Sequence, residues 1–111
     1  DRDQGKRPLM GEIAARLADV FIITDDNPRT EDANQIRHQI RRGVDRVAPN
    51  GRAEIFEIGD RAAAISTAVG LAGPGDAVII AGKGHETGQE IDGVILPFDD
   101  REHLRQALQE K

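Results

Sequence analysis

Two periodicities alternate along this chain. Stretches in which apolar residues recur every three or four positions, the spacing of one helical face, are separated by short uninterrupted apolar runs of the kind found in strands buried on both sides. Met10, Ile13, Ala14 and Leu17 form the first helical stripe, with Pro8 suited to the first turn. Val20-Phe21-Ile22-Ile23 then reads as a strand buried on both faces, ending at Thr24-Asp25-Asp26-Asn27-Pro28, where the Asn-Pro pair turns the chain. Thr30 can cap a second helix with Glu31 and Asp32 in its first turn. Ile36, Ile40, Val44 and Val47 make its apolar side and Arg37, Arg41 and Arg42 its polar face.

After Pro49-Asn50-Gly51 the residues 53–58 predict a strand, and Asp60 can cap a third helix whose core side is Ile65, Ala68, Val69 and Ala72. Gly73-Pro74-Gly75 stops that helix, Ala77-Val78-Ile79-Ile80-Ala81 predicts a second fully buried strand, and Gly82-Lys83-Gly84-His85-Glu86 follows it. Residues 89–98 read as a hairpin turning at Asp92-Gly93. Asp99 and Glu102 make a capping-box pattern, and Leu104, Ala107 and Leu108 face inward from the last helix. The whole predicts a Rossmann-like α/β fold, a mostly parallel sheet flanked by helices with a C-terminal antiparallel hairpin. A doubly wound domain starts with a strand, whereas this chain starts with a loop and a helix. A first strand is therefore expected ahead of residue 1. With no initiator Met and a polar loop at its start, residues 1–111 are expected to be one domain of a longer protein.

Composition narrows the function classes. A length of 111 residues suits one core. With 38% hydrophobic and 32% charged residues and a formal net charge of -5, the balance is globular and argues against a general grip on nucleic acid or an anionic membrane surface. No apolar run approaches the roughly 20 residues of a membrane helix, and the charged start has no signal-peptide core. The absence of cysteine removes disulfides and thiolate zinc sites and fits a reducing cytoplasm.

Ligands of open α/β sheets gather at the carboxyl ends of the strands, where three polar segments fall: the N-terminal loop, residues 25–29 and residues 82–86. Asp25-Asp26-Asn27-Pro28-Arg29 can be a plain strand-to-helix turn with acids at the positive end of the next helix. It can equally be a site in which the Arg29 fork binds a carboxylate while Asn27 and Asp26 orient the same ligand, the mixed-sign set an amino acid needs. Gly82-Lys83-Gly84-His85-Glu86 can be a flexible exit, or a close-approach loop with Glu86 accepting from an ammonium group. It lacks the spacing of a Walker P-loop, and no Gly-x-Gly-x-x-Gly follows a strand. Arg2, Asp3, Lys6 and Arg7 read most simply as a solvated charge run, with phosphate and carboxylate contact as the alternative. His38 and His103 fall on polar helix faces. His85 has no neighbouring ligands to make a metal site, and Asp60-Arg61 reads as a helix start and surface.

Asp1-Arg2-Asp3-Gln4-Gly5-Lys6-Arg7-Pro8-Leu9-Met10, Asp26-Asn27-Pro28-Arg29 and Gly82-Lys83-Gly84-His85-Glu86 together resemble, in order and spacing, the C-terminal domain of the diaminopimelate-adding Mur ligases. The likeness covers nearly the whole chain. Asp-Asn-Pro-Arg is similar to the diaminopimelate signature of that family, and lysine-adding relatives differ there. The resemblance implies one part of a three-domain ATP- and magnesium-dependent ligase of the bacterial cytoplasm. Such an enzyme phosphorylates the D-glutamate carboxylate of UDP-MurNAc-L-Ala-D-Glu, and the amine of meso-diaminopimelate attacks the acyl phosphate. It also implies that Arg2, Asn27, Arg29, Gly82 and Glu86 bind diaminopimelate, with Asp26 and Pro28 shaping the turn, and that Lys6 and Asp3 reach the ATP phosphates on closure. Gln4 stands where some relatives carry a basic residue. No catalytic or metal-binding residue is implied within this chain. Those groups belong to a central domain, against which, with an N-terminal domain, this one packs, so activity is not expected from the chain alone. Two other readings differ in chemistry. In a phosphoacceptor receiver domain Asp25-Asp26 and Lys83 would be the acidic pair and lysine, but Pro28-Arg29 crowds that site and no lone Asp ends the middle strand. A lysine-adding Mur ligase would need a different residue at Arg29.

Overall fold

The computed structural model describes residues 6–25, 31–81, 88–91, 94–97 and 100–110. Helix α1 (Lys6–Leu17) leads into β1 (Val20–Ile23), α2 (Ala33–Val44), a 3-10 turn (Pro49–Gly51), β2 (Glu54–Glu57) and α3 (Arg61–Leu71). Strands β3 (Gly88–Ile91) and β4 (Val94–Pro97) and helix α4 (Asp100–Glu110) complete it. β1 and β2 pair in parallel, with Phe21 opposite Ile55 and Ile22 opposite Phe56, across the α2 crossover. β3 and β4 pair antiparallel with Ile91 opposite Val94, which leaves the Asp92-Gly93 pair as the connection of the expected hairpin. The fold is the predicted mixed α/β, Rossmann-like type.

Among the described residues the core has two parts. Ala15, Ile23, Val44 and Val47 are buried together, with Phe21, Ile40 and Ile55 packed on them. The alternation along β1 therefore points Phe21 and Ile23 at the α1 and α2 layer. Ile65 and Val69 of α3 meet Ala107 and Leu104 of α4, with Ile80 against them. Asp32 caps α2 by accepting from the Asn34 amide at 2.8 Å, and Asp60 caps α3 by accepting from the Ala62 amide at 3.1 Å. The expected cap of α2, Thr30, and Asp99 of the expected capping box lie outside the described residues. Glu31, assigned from sequence to the first turn of α2, lies ahead of that cap.

Four expectations about burial are corrected. The stripe expected to be the core side of α1 faces outward: Met10, Ile13 and Leu17 are exposed, and the buried residues are Arg7, Gly11 and Ala15. The reason is a backbone approach between helices. A Cβ on Gly11 would lie 2.0 Å from the Ile40 carbonyl oxygen, and one on Gly43 would lie 1.7 Å from that of Pro8. Two glycines facing each other across α1 and α2 allow that contact, and the larger side chains turn away from it. β1 is not buried on both faces, since Val20 is exposed and only Ile23 is fully enclosed. Residues 77–81 carry no strand ladder, because no backbone hydrogen bond joins them to another described residue. They keep a strand-like alternation, with Ile80 packed on α3 and α4 and Ile79 88% exposed. Leu108, expected inward, is exposed on α4.

The glycine approach makes a stability prediction. Gly43→Ala forces α1 and α2 apart and is expected to cost about 1–3 kcal/mol, as overpacking does. Gly70 lies in α3 with nothing within 4 Å of an added Cβ, so Gly70→Ala is expected to gain roughly 0.5–1 kcal/mol from helix propensity. Chemical denaturation of the two variants checks both signs, and equal stability would contradict the close approach.

Candidate functional site

The carboxyl edge of the sheet is organised by three arginines. Arg61, the first residue of α3, is 3% exposed. Its guanidinium grips Asp100, the first residue of α4, with Nε donating to Oδ1 at 2.7 Å and Nη2 to Oδ2 at 2.8 Å. Two further donors reach main-chain carbonyls, Nη1 that of Asp25 at 3.1 Å and Nη2 that of Ala81 at 3.0 Å. Asp25 is the last described residue after β1 and Ala81 the last before residue 82. One planar, always-charged group thus ties together the ends of two segments and the starts of two helices.

Arg37, on the face of α2 read from sequence as polar, is largely covered. It donates to Asp25 Oδ1, to Asn34 Oδ1 and, from Nε at 3.1 Å, to Glu57. Burial lowers its pKa, but the hydrogen bonds and charges of Asp25 and Glu57 outweigh that and hold it above the ordinary value. Asp25 is further fixed by its amide, which donates to the Gly59 carbonyl at 3.3 Å, an oxygen that also accepts from the Thr24 hydroxyl. Arg7 departs most from its reading as a solvated charge. It is buried at the start of α1 and forks onto Glu31, at 3.0 and 2.8 Å, while donating to Gln39 Oε1 at 2.8 Å. The hydrogen bond to Glu31 raises its pKa in spite of burial. Both arginines therefore stay charged at any physiological pH, and their contribution would fade only as pH rose past their raised values.

Of the residues proposed from sequence to touch ligands, Arg2, Asp3, Asp26, Asn27, Pro28, Arg29, Gly82 and Glu86 lie outside the described residues. Lys6 is described: it is the exposed first residue of α1. The roots of the three polar segments can be located. The Asp26-Asn27-Pro28-Arg29 motif leaves from Asp25 and resumes at Glu31, which Arg7 of the first segment holds. The glycine-rich motif leaves from Ala81 beside Arg61. Sequence reasoning placed Arg61 on the surface and missed its role. The available signal was a base directly behind a helix-capping Asp, at the helix end where positive charge is disfavoured.

The described residues set limits on other chemistry. Among them no group of His, Asp or Glu could hold a metal ion. The Asp25 carboxylate, one of the acidic pair of a receiver reading, is committed to Arg37. A half-open cavity of about 180 Å³ is lined by Val78, Ile80, Asp100, Arg101 and Leu104. That is below the roughly 300–1,000 Å³ of usual ligand pockets, and its one carboxylate is already bound to Arg61.

The arginine network predicts unequal couplings. Arg37→Met is expected to cost roughly 1.5–3 kcal/mol through lost charged hydrogen bonds. In double-mutant cycles the coupling of Arg37 with Asp25, whose side chain is 17% exposed, should exceed that with Glu57, at 39%. Equal couplings would contradict this geometry.

A family model described as Mur ligase, glutamate ligase domain, matches residues 1–84. A protein of Chelativorans sp. (strain BNC1) named UDP-N-acetylmuramoyl-L-alanyl-D-glutamate--2,6-diaminopimelate ligase is 57% identical over 111 residues, 100% of this chain and 21% of its own length. Its namesake in Caulobacter vibrioides (strain ATCC 19089 / CIP 103742 / CB 15) is 55% identical over 109 residues, 98% of this chain and 21% of its own length. A solved structure described by the same enzyme name aligns with a TM-score of 0.87 at 46% identity, over 99% of this chain and 22% of that one. The chain thus spans about a fifth of the length of the curated relatives it matches.

Proposed function

This chain belongs to the Mur ligase family, and from that premise we propose that it is the amino-acid-binding C-terminal domain of an ATP-dependent ligase joining meso-diaminopimelate to UDP-MurNAc-L-Ala-D-Glu. The observation that carries the reading is the single guanidinium of Arg61 on the carbonyls of Asp25 and Ala81, because the two sequence motifs suited to an amino acid then start from one point. Arg29 supplies a fork for the distal carboxylate that distinguishes diaminopimelate from lysine, and Asn27 with Asp26 orients the same end. Pro28 fixes the turn. Glu86 receives an ammonium group next to the close backbone approach allowed by Gly82, and Arg2 reaches the ligand from the N-terminal segment.

ATP and magnesium, which Mur ligases use, are assigned mainly to the rest of the enzyme, as the family resemblance implies. Lys6, exposed at the start of α1, and Asp3 just before it are the contacts this domain would extend to the nucleotide phosphates. What these residues do in the reaction is capture one amine-bearing substrate and orient it toward an activated carboxylate formed elsewhere, in the bacterial cytoplasm.

The test is amino-acid-dependent ATP turnover by the full-length ligase with UDP-MurNAc-L-Ala-D-Glu, comparing meso-diaminopimelate with L-lysine. A site built on a charged partner rejects an analogue lacking it by about 10⁴-fold, so a preference of that order is expected, largely lost in Arg29→Ala. Equal use of lysine by the unaltered enzyme would overturn the assignment of Arg29.

A further inference from the structure

We infer that Arg61, held by Asp100, is a positioning residue for amino-acid capture: it sets the directions in which the two candidate ligand segments depart from Asp25 and Ala81. This rests on the reading of those segments as the diaminopimelate site. The argument starts from the two atoms it touches. The carbonyl of Asp25 belongs to the peptide plane that also contains the Asp26 nitrogen, and the carbonyl of Ala81 to the plane containing the Gly82 nitrogen. A peptide unit is rigid, so holding each oxygen from Arg61 at 3.1 and 3.0 Å restrains the plane from which each motif departs.

The two anchors differ in what else supports them. Asp25 is also held by its amide on Gly59 and its carboxylate on Arg37. Residues 77–81 have no backbone hydrogen bond to another described residue, so the Ala81 end depends on the guanidinium and on the packing of Ile80. Asp100 makes the arrangement rigid. Its two oxygens take Nε and Nη2, which leaves the plane of the guanidinium no freedom to rotate about its own axis. The local environment of Arg61 argues that it serves more than α3. A cation at a helix N-terminus opposes the helix dipole, and a buried ion pair can commonly be replaced by apolar residues with little loss of stability.

The experiment uses the full-length ligase with Arg61→Lys, Asp100→Asn and the apolar double variant Arg61→Met/Asp100→Leu, with Arg29→Ala alongside. Lysine keeps the charge but cannot span Asp100 and two carbonyls. The double variant removes both anchors while sparing the fold an unpaired buried charge, so it remains informative if a single variant does not fold. KM for diaminopimelate is expected to rise on the order of ten- to hundredfold, with KM for ATP and for UDP-MurNAc-L-Ala-D-Glu within about twofold and melting temperature preserved in the double variant. Unchanged KM for diaminopimelate in the folded Arg61 variants, with Arg29→Ala impaired, overturns the positioning role and leaves the site reading intact. A parallel rise in all three KM values, tracking a lower melting temperature, also overturns it by showing a merely structural pair. Normal diaminopimelate kinetics in Arg29→Ala overturns the site reading and the inference with it.

Discussion

The arrangement of the candidate ligand edge depends on one buried guanidinium. Desolvating a cation is expensive, and the expense is offset only where every donor finds an acceptor of good geometry. Arg61 comes close to that condition, placing four of its five N–H donors on a carboxylate and two carbonyls. It joins the first residue of α3 to the first residue of α4 and both to the ends of β1 and residues 77–81. Removing one member of such a set leaves its partners buried and unpaired, typically a loss of about 3–5 kcal/mol, so the four segments are mutually fixed.

The layer formed by α1 and α2 is set by a different constraint, that of volume. Gly11 and Gly43 let two helix backbones touch, and that contact decides which way α1 faces. Its consequence at the edge is the position of Arg7, one turn ahead of Gly11 on the same face, which brings the guanidinium to Glu31 and Gln39. A packing decision between small residues thereby fixes the chain just after the Asp26-Asn27-Pro28-Arg29 motif, as Arg61 and Arg37 fix it just before. The motif is anchored at both ends by buried cations that are not themselves part of it.

Legibility in the sequence followed from how local each determinant is. The α/β alternation, the Asp60 cap and the antiparallel pairing of β3 with β4 could be read because each depends on residues a few positions apart. The orientation of α1 could not, since hydrophobic spacing makes Met10, Ile13 and Leu17 an inner face while the opposing Gly43 is far along the chain. Nor could the state of residues 77–81, because a strand exists through its ladder and the run Ala77 to Ala81 specifies only half of one. The candidate contacts were legible as motifs, Asp-Asn-Pro-Arg above all, yet Arg7, Arg37 and Arg61 were all read as surface charge. Their burial arises from carboxylates and carbonyls 12 to 39 positions away in the chain.

That contrast divides the work of the site in a way that follows from backbone chemistry. A residue that touches a ligand from a loop is only as well placed as the peptide plane from which the loop springs, because each later dihedral adds its own freedom to the direction set there. Distinguishing a carboxylate from its absence at the end of a flexible amino acid requires a donor fork in register with two oxygens, a demand of roughly half an ångström. Glycine and exposed polar residues cannot meet it alone. The rigidity has to come from behind them, and the group placed to supply it is Arg61 at the start of α3, whose donors hold the carbonyls of Asp25 and Ala81 and which Asp100 holds in turn.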